Sequence, residues 1–130
     1  MASWSEVKSF IRSNYIVKQE IGPDALLLEF ETFAGRSQQI FVEFDRSGDD
    51  VEWVSMSATV GLVAELDAMR VLEVASPLIL GAVRVSGEAL MVAHWQPLAT
   101  IDGPEIDGPM KLICLVADII EKDLNDTDRF

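Results

Sequence analysis

Ala25 to Phe33 and Gln38 to Asp45 alternate apolar and polar residues with a period of two, and only Ala34-Gly35-Arg36-Ser37 separates them. Such alternation fits strands with one buried face, and so short a link makes the pair an antiparallel hairpin. Leu26, Leu28 and Phe30 then share a face with Ile40, Val42 and Phe44. The chain must build an antiparallel sheet and supply something to pack on it.

The flanking segments extend the pattern. Ser3 and Glu6 have capping-box spacing, and Trp4, Val7, Phe10 and Ile11 recur at helical intervals, which predicts a first helix ending near Ser13 or Asn14. Tyr15 to Glu20, before the Gly22-Pro23-Asp24 turn, reads as a first strand at the sheet edge. Arg46 to Asp50 is a polar turn, and Val51 to Ala58 resumes a strand carrying Trp53 and Met56. After Gly61 the period becomes helical, with Ala64, Ala68, Val71 and Ala75 forming a small-residue stripe that stops at Ser76-Pro77. Leu80 to Val85 and Glu88 to Trp95 flank Ser86-Gly87 as a second hairpin, giving up to six strands.

The last element opens on Ile101-Asp102-Gly103-Pro104, repeated as Ile106-Asp107-Gly108-Pro109, and Asp107 is the expected cap. Ile106, Met110, Ile113, Ala117, Ile120 and Leu124 form its core stripe. Leu112, Leu115 and Ile119 form a second stripe, leaving a narrow wedge for Lys111, Asp118 and Lys122. Residues 1–124 make one domain, and 125–130 a frayed polar tail.

Charge narrows the partners. Ten Lys and Arg against 22 Asp and Glu give a net charge of −12, which repels nucleic acid and anionic membranes and attracts basic polypeptides. The longest uncharged stretch, Val74 to Val83, contains Pro77 and is too short to span a bilayer. The start of the chain lacks an export pattern, and the single cysteine fits a reducing compartment, so a cytoplasmic location is expected.

Catalytic chemistry finds little support. His94 is the sole histidine and Cys114 the sole cysteine. Cys114 lies on an apolar helix, where a thiol packs as a small hydrophobe. The Asp45, Asp49 and Asp50 group lacks calcium-loop spacing, and there is no phosphate loop, dinucleotide fingerprint or nucleophile elbow. No cofactor or metal is expected, and the chain is read as a non-enzyme. What remains is surface: Leu27, Phe33, Phe41, Met91, Ala93 and Trp95 lie opposite the core stripes and are too apolar for a face meant only for water.

The element order, with Gly35-Arg36-Ser37-Gln38-Gln39-Ile40-Phe41-Val42 at the hairpin entry and Val51 to Ala58 running into Thr59-Val60-Gly61, resembles that of the bacterial YbjN family, which shares the fold of type III secretion chaperones. The resemblance implies a compact α+β domain in α-β-β-β(-β)-α-β-β-α order, commonly dimeric and without catalytic residues.

The expected fold has an antiparallel sheet with the first and third helices on one face and the second helix elsewhere or at a dimer contact. The expected function is non-enzymatic protein binding, chaperone-like or as an adaptor, with Leu27, Phe33, Phe41, Met91 and Trp95 meeting a polypeptide client. Ala64, Ala68, Val71, Leu112, Leu115 and Ile119 would make helix packing or a homodimer contact. The alternative is a small-molecule sensor or minor enzyme with a pocket between sheet and helices.

Overall fold

A computed structural model of the chain describes residues 3–32 and 35–125. The expected tail, apart from Asn125, and Phe33 lie outside the described residues. Six strands form one antiparallel sheet in the order β1-β2-β3-β4-β6-β5: β1 (Val17–Ile21), β2 (Ala25–Glu31), β3 (Ser37–Arg46), β4 (Glu52–Leu62), β5 (Ala82–Ser86) and β6 (Ala89–Pro97). Three α-helices accompany it among the described residues: α1 (Trp4–Asn14), α2 (Ala68–Ala75) and α3 (Gly103–Ile120). The fold is α+β. Among the described residues no helix is long and apolar enough to cross a membrane.

The hairpin register follows the alternation. Leu26 pairs with Val42 and Leu28 with Ile40, so both buried rows fall on one face, joined there by Val54, Met56, Ala58, Val60, Leu90 and Val92. The helices complete this core with Val7 and Ile11 from α1, Val71 and Ala75 from α2, and Ile106, Met110, Ile113, Ala117 and Ile120 from α3. Ser3 caps α1 by accepting from the Glu6 amide at 3.1 Å, and Trp4 stacks on Phe44 with ring centroids 5.9 Å apart.

α2 is expected elsewhere than beside α1 and α3, or at a dimer contact; it packs against α3 and β5 and contributes Val71 and Ala75 to the same core, which corrects the first of these placements. It also begins later than the alanine spacing implies. Asp67 accepts from the Met69 amide and caps the helix, so Ala64 sits in a turn and the exposed Ala68 is the first helical residue. β4 correspondingly runs on to Leu62 through an irregularity between Thr59 and Gly61, where buried Val60 and Gly61 break the alternation. The second hairpin turns at Gly87-Glu88 rather than Ser86-Gly87, with Gly87 supplying φ +59 at the first loop position.

The cap of α3 is Asp102, not Asp107. Asp102 accepts from the Glu105 amide at 3.0 Å and its own amide donates to Glu105 Oε2 at 3.0 Å, a reciprocal capping box. Asp107 lies one turn inside the helix, accepting from the Tyr15 hydroxyl at 2.6 Å and pairing with Lys111 at 2.8 Å.

Candidate functional site

Side chains on a strand alternate between faces, so the residues between the core positions form a second face. Among the rows that cross it, three frame its centre. Leu27 lies opposite Phe41, Phe41 opposite Ser57, Ser57 opposite Ala93, and Ala93 opposite Ala82. Glu43, Ser55 and Trp95 make a second row, and Thr59, Met91 and Arg84 a third.

Along its middle the central strand β4 contributes short hydroxyl side chains, Ser55, Ser57 and Thr59, with Trp53 at its start, while its neighbours contribute Phe41 and Glu43 on one side and Met91 and Trp95 on the other. The result is a trough along β4, a depression of about 310 Å³ lined by strand residues alone: Phe41, Glu43, Ser55, Ser57, Thr59, Arg84, Ser86, Ala89 and Met91. Ser55 and Ser57 are buried beneath taller neighbours. The Arg84 guanidinium lies 5.0 Å from the Trp95 ring centroid, a cation–π contact at one wall.

This face is less apolar than the sequence implies. Leu27 and Met91 are buried, Phe41 is half-buried, and only Trp95 is exposed. Interleaved Ser, Thr and Glu side chains break any continuous apolar sheet, so the anchors stand as separate pieces beside a polar floor.

The residues expected at a helix or dimer contact divide. Val71 is in the core, Leu112 is half-buried, and Ala64, Ala68, Leu115 and Ile119 are exposed. Leu115 overhangs a second depression of about 460 Å³, shared with Phe30, Glu31, Thr32, Lys111 and Cys114, between α3 and the end of β2. Burial, reinforced by the nearby Asp118 carboxylate, pushes the Cys114 thiol up to about 11. It therefore stays protonated at neutral pH. His94 is on β6 and Cys114 on α3. Burial lowers the His94 pKa.

A buried ionic group escaped the sequence reading. Asp118, assigned there to a polar wedge, is 1% exposed and Glu121 is 0% exposed; Arg36 reaches them at 3.1 Å and 3.5 Å. Their helical spacing of three places both carboxylates on one side of α3, which is the available signal, but it does not reveal Arg36 as their partner. The Asp45 to Asp50 turn is held by Arg46, which pairs with Asp50 and Glu52, and by a Ser47 to Asp49 hydrogen bond that lowers the Asp49 pKa. Among the described residues, no group of three or more His, Cys, Asp or Glu side chains could hold a metal ion.

In comparison with known proteins, no protein-family model matches the chain, and no curated protein matches it.

Proposed function

We propose that this domain is a non-enzymatic, cytoplasmic protein-binding module, chaperone-like or an adaptor, with the fold of the type III secretion chaperones and the YbjN family, that holds an extended partner segment along β4. The observation that carries this reading is the trough itself: a narrow channel with a hydroxyl floor and separate apolar walls. Alternate side chains of an extended segment have walls to rest on, while its polar groups meet Ser55, Ser57 and Thr59. The −12 charge favours a segment rich in Lys and Arg and speeds its encounter.

The test uses synthetic peptides alternating leucine with lysine, compared with leucine–glutamate versions, titrated against wild type, Phe41→Ala and Ser57→Phe. The basic peptides should bind, association should slow with salt, and removing a wall or filling the floor should weaken binding about 5- to 100-fold, as loss of an interface anchor does. Absence of peptide binding, or equal binding by all three proteins, would rule this reading out. A second reading, a small-molecule site between sheet and α3, has the Phe30, Cys114 and Leu115 depression in its favour. A small-molecule library that raises the melting temperature of wild type but not of Leu115→Trp would support it.

A further inference from the structure

The trough along β4 carries one charge of each sign. Among the described residues that line it, Glu43 is the one carboxylate and Arg84 the one cation. Glu43 stands on β3 beside Ser55, and Trp95 stands on β6 on the other side of Ser55. Arg84 is rooted two rows away, opposite Met91, yet its guanidinium lies over the Trp95 ring. The pair between them, Ala82 and Ala93, has small side chains that leave room for this reach. The cation therefore returns to the row of Glu43, with the hydroxyl floor between them and walls two strand spacings apart, about 10 Å at the backbone.

Neither charge is spent within the chain. Lys8, Arg12, Lys18, Arg36, Arg46 and Lys111 all pair with carboxylates, whereas Arg84 and Glu43 make no ion pair with each other or with another described residue. A guanidinium held on a ring face keeps its in-plane N–H donors for a carboxylate. The floor also ends beside this pair. Beyond Ser55 the next residue of β4 on this face is Trp53, whose Nε1 donates to Ser47 Oγ at 3.0 Å in the turn before the strand. An extended segment running from Thr59 towards Ser55 thus arrives between two opposite charges where an indole replaces the hydroxyls.

Charge selects which part of a segment sits there. The net charge of −12 favours a basic segment and disfavours one rich in Asp or Glu. A basic segment still has one carboxylate, at its C-terminus, and in a C-terminal Lys or Arg the carboxylate and the cation belong to a single residue. We propose that this end of the trough captures the C-terminus of a partner that ends in Lys or Arg, Arg84 taking the terminal carboxylate and Glu43 the side-chain cation. The buried hydroxyls of Ser55 and Ser57 lie beneath the last peptide groups. This assignment rests on the reading of the trough as a peptide channel and adds the direction and the last residue of the segment.

The experiment is calorimetric titration of a leucine–lysine peptide ending in Lys, as the free acid, as the C-terminal amide, and as the acid with its last Lys replaced by norleucine, against wild type, Arg84→Gln and Glu43→Gln. Amidation removes a negative charge from the peptide, so attraction to the net charge of the chain alone would tighten binding. In wild type it should instead weaken binding about tenfold or more, as loss of a charged hydrogen-bonded pair does, and norleucine should weaken it similarly. The amide's penalty should vanish in Arg84→Gln, and that of norleucine should shrink in Glu43→Gln. Melting temperatures control for fold, and the comparison of acid with amide on wild type needs no variant. An amide that binds as tightly as the acid, an equal penalty in Arg84→Gln, or an amidated peptide with an internal Asp that matches the acid would overturn the proposal. If Phe41→Ala still weakens both acid and amide in those cases, the trough remains a peptide channel and only the terminal assignment falls. Absence of binding by every peptide would remove both.

Discussion

The Arg36 guanidinium donates to the Asp118 carboxylate at 3.1 Å, an ion pair that ties the entry of β3 to α3 across 82 positions of sequence. Among the described residues Asp118 Oδ2 has no hydrogen-bond partner, and Glu121 is also buried. Arg36→Met takes the guanidinium away from two buried carboxylates and should cost about 3 to 5 kcal/mol of unfolding free energy. Replacing Arg36, Asp118 and Glu121 together by apolar residues of similar volume should recover most of it. Urea denaturation of both variants checks the pair of outcomes. A loss below about 1 kcal/mol for Arg36→Met would show that solvent already screens the group.

Cys114 should react slowly with a thiol reagent at pH 8 in the native protein and rapidly once denatured. The thiol moves from 9.0 to about 11 on folding, so above pH 9 the unfolded chain loses this proton first. Stability should then fall as pH rises from 9 towards 11, by roughly 2 to 3 kcal/mol at most from this group. Chemical denaturation of wild type and Cys114→Ala over that range measures it, the variant showing the shallower decline.

His94 titrates in the opposite sense. Its lowered pKa means that folding favours the neutral ring, so its contribution is intact above pH 6.5 and declines as acid protonates the unfolded chain first. His94→Gln should flatten that part of the stability profile between pH 7 and 5.

Asp102→Ala removes a capping box and should cost about 0.5 to 2 kcal/mol, rescued in part by Asp102→Ser. Asp107→Ala leaves the cap intact and frees the Tyr15 hydroxyl, whose pKa burial and Asp107 both raise. Spectroscopic titration of the tyrosine should show it ionising at lower pH in Asp107→Ala, and unaltered ionisation would argue against the contact.

Gly81 and Gly22 both have positive φ, +81 and +64, but only Gly81 is crowded: a Cβ there would lie 2.6 Å from the Ala93 carbonyl oxygen. Gly81→Ala should therefore lower stability by more than Gly22→Ala, by about 1 to 3 kcal/mol in total against about 1 kcal/mol. Thermal melts of the two variants decide it.

The strands and the first helix were legible because their signals are local. Leu26, Leu28, Ile40 and Val42 announce one face by alternation, and Ser3 with Glu6 announces a cap. The repeated Ile-Asp-Gly-Pro segment shows how a local signal can be misjudged: both Asp residues precede Gly-Pro, but Asp102 alone has a Glu three positions later, at Glu105, while Asp107 has Met110. Ala64 fits the helical spacing of Ala68 and Val71, yet Asp67 starts the helix. The trough was only half legible. Phe41, Met91 and Trp95 could be placed on the outer face, but their separation by Ser55, Ser57 and Thr59 depends on β4 lying between β3 and β6. No periodicity in one segment reveals that order, nor that Arg36 meets Asp118.

Every hydrogen-bonded neighbour in the sheet is also a chain neighbour, except at the seam between β4 and β6. A chain emerging from the ribosome can fold β1 to β4 as successive hairpins, but the outer edge of β4 must wait until residues 89–97 have been synthesised. During that interval the apolar row Val54, Met56, Ala58 and Val60 borders an unfilled ladder, the condition under which nascent strands pair with one another. Among the strand pairings, closure of this seam demands the longest loop, so it should form later than the local hairpins and lengthen the interval in which the nascent chain can aggregate.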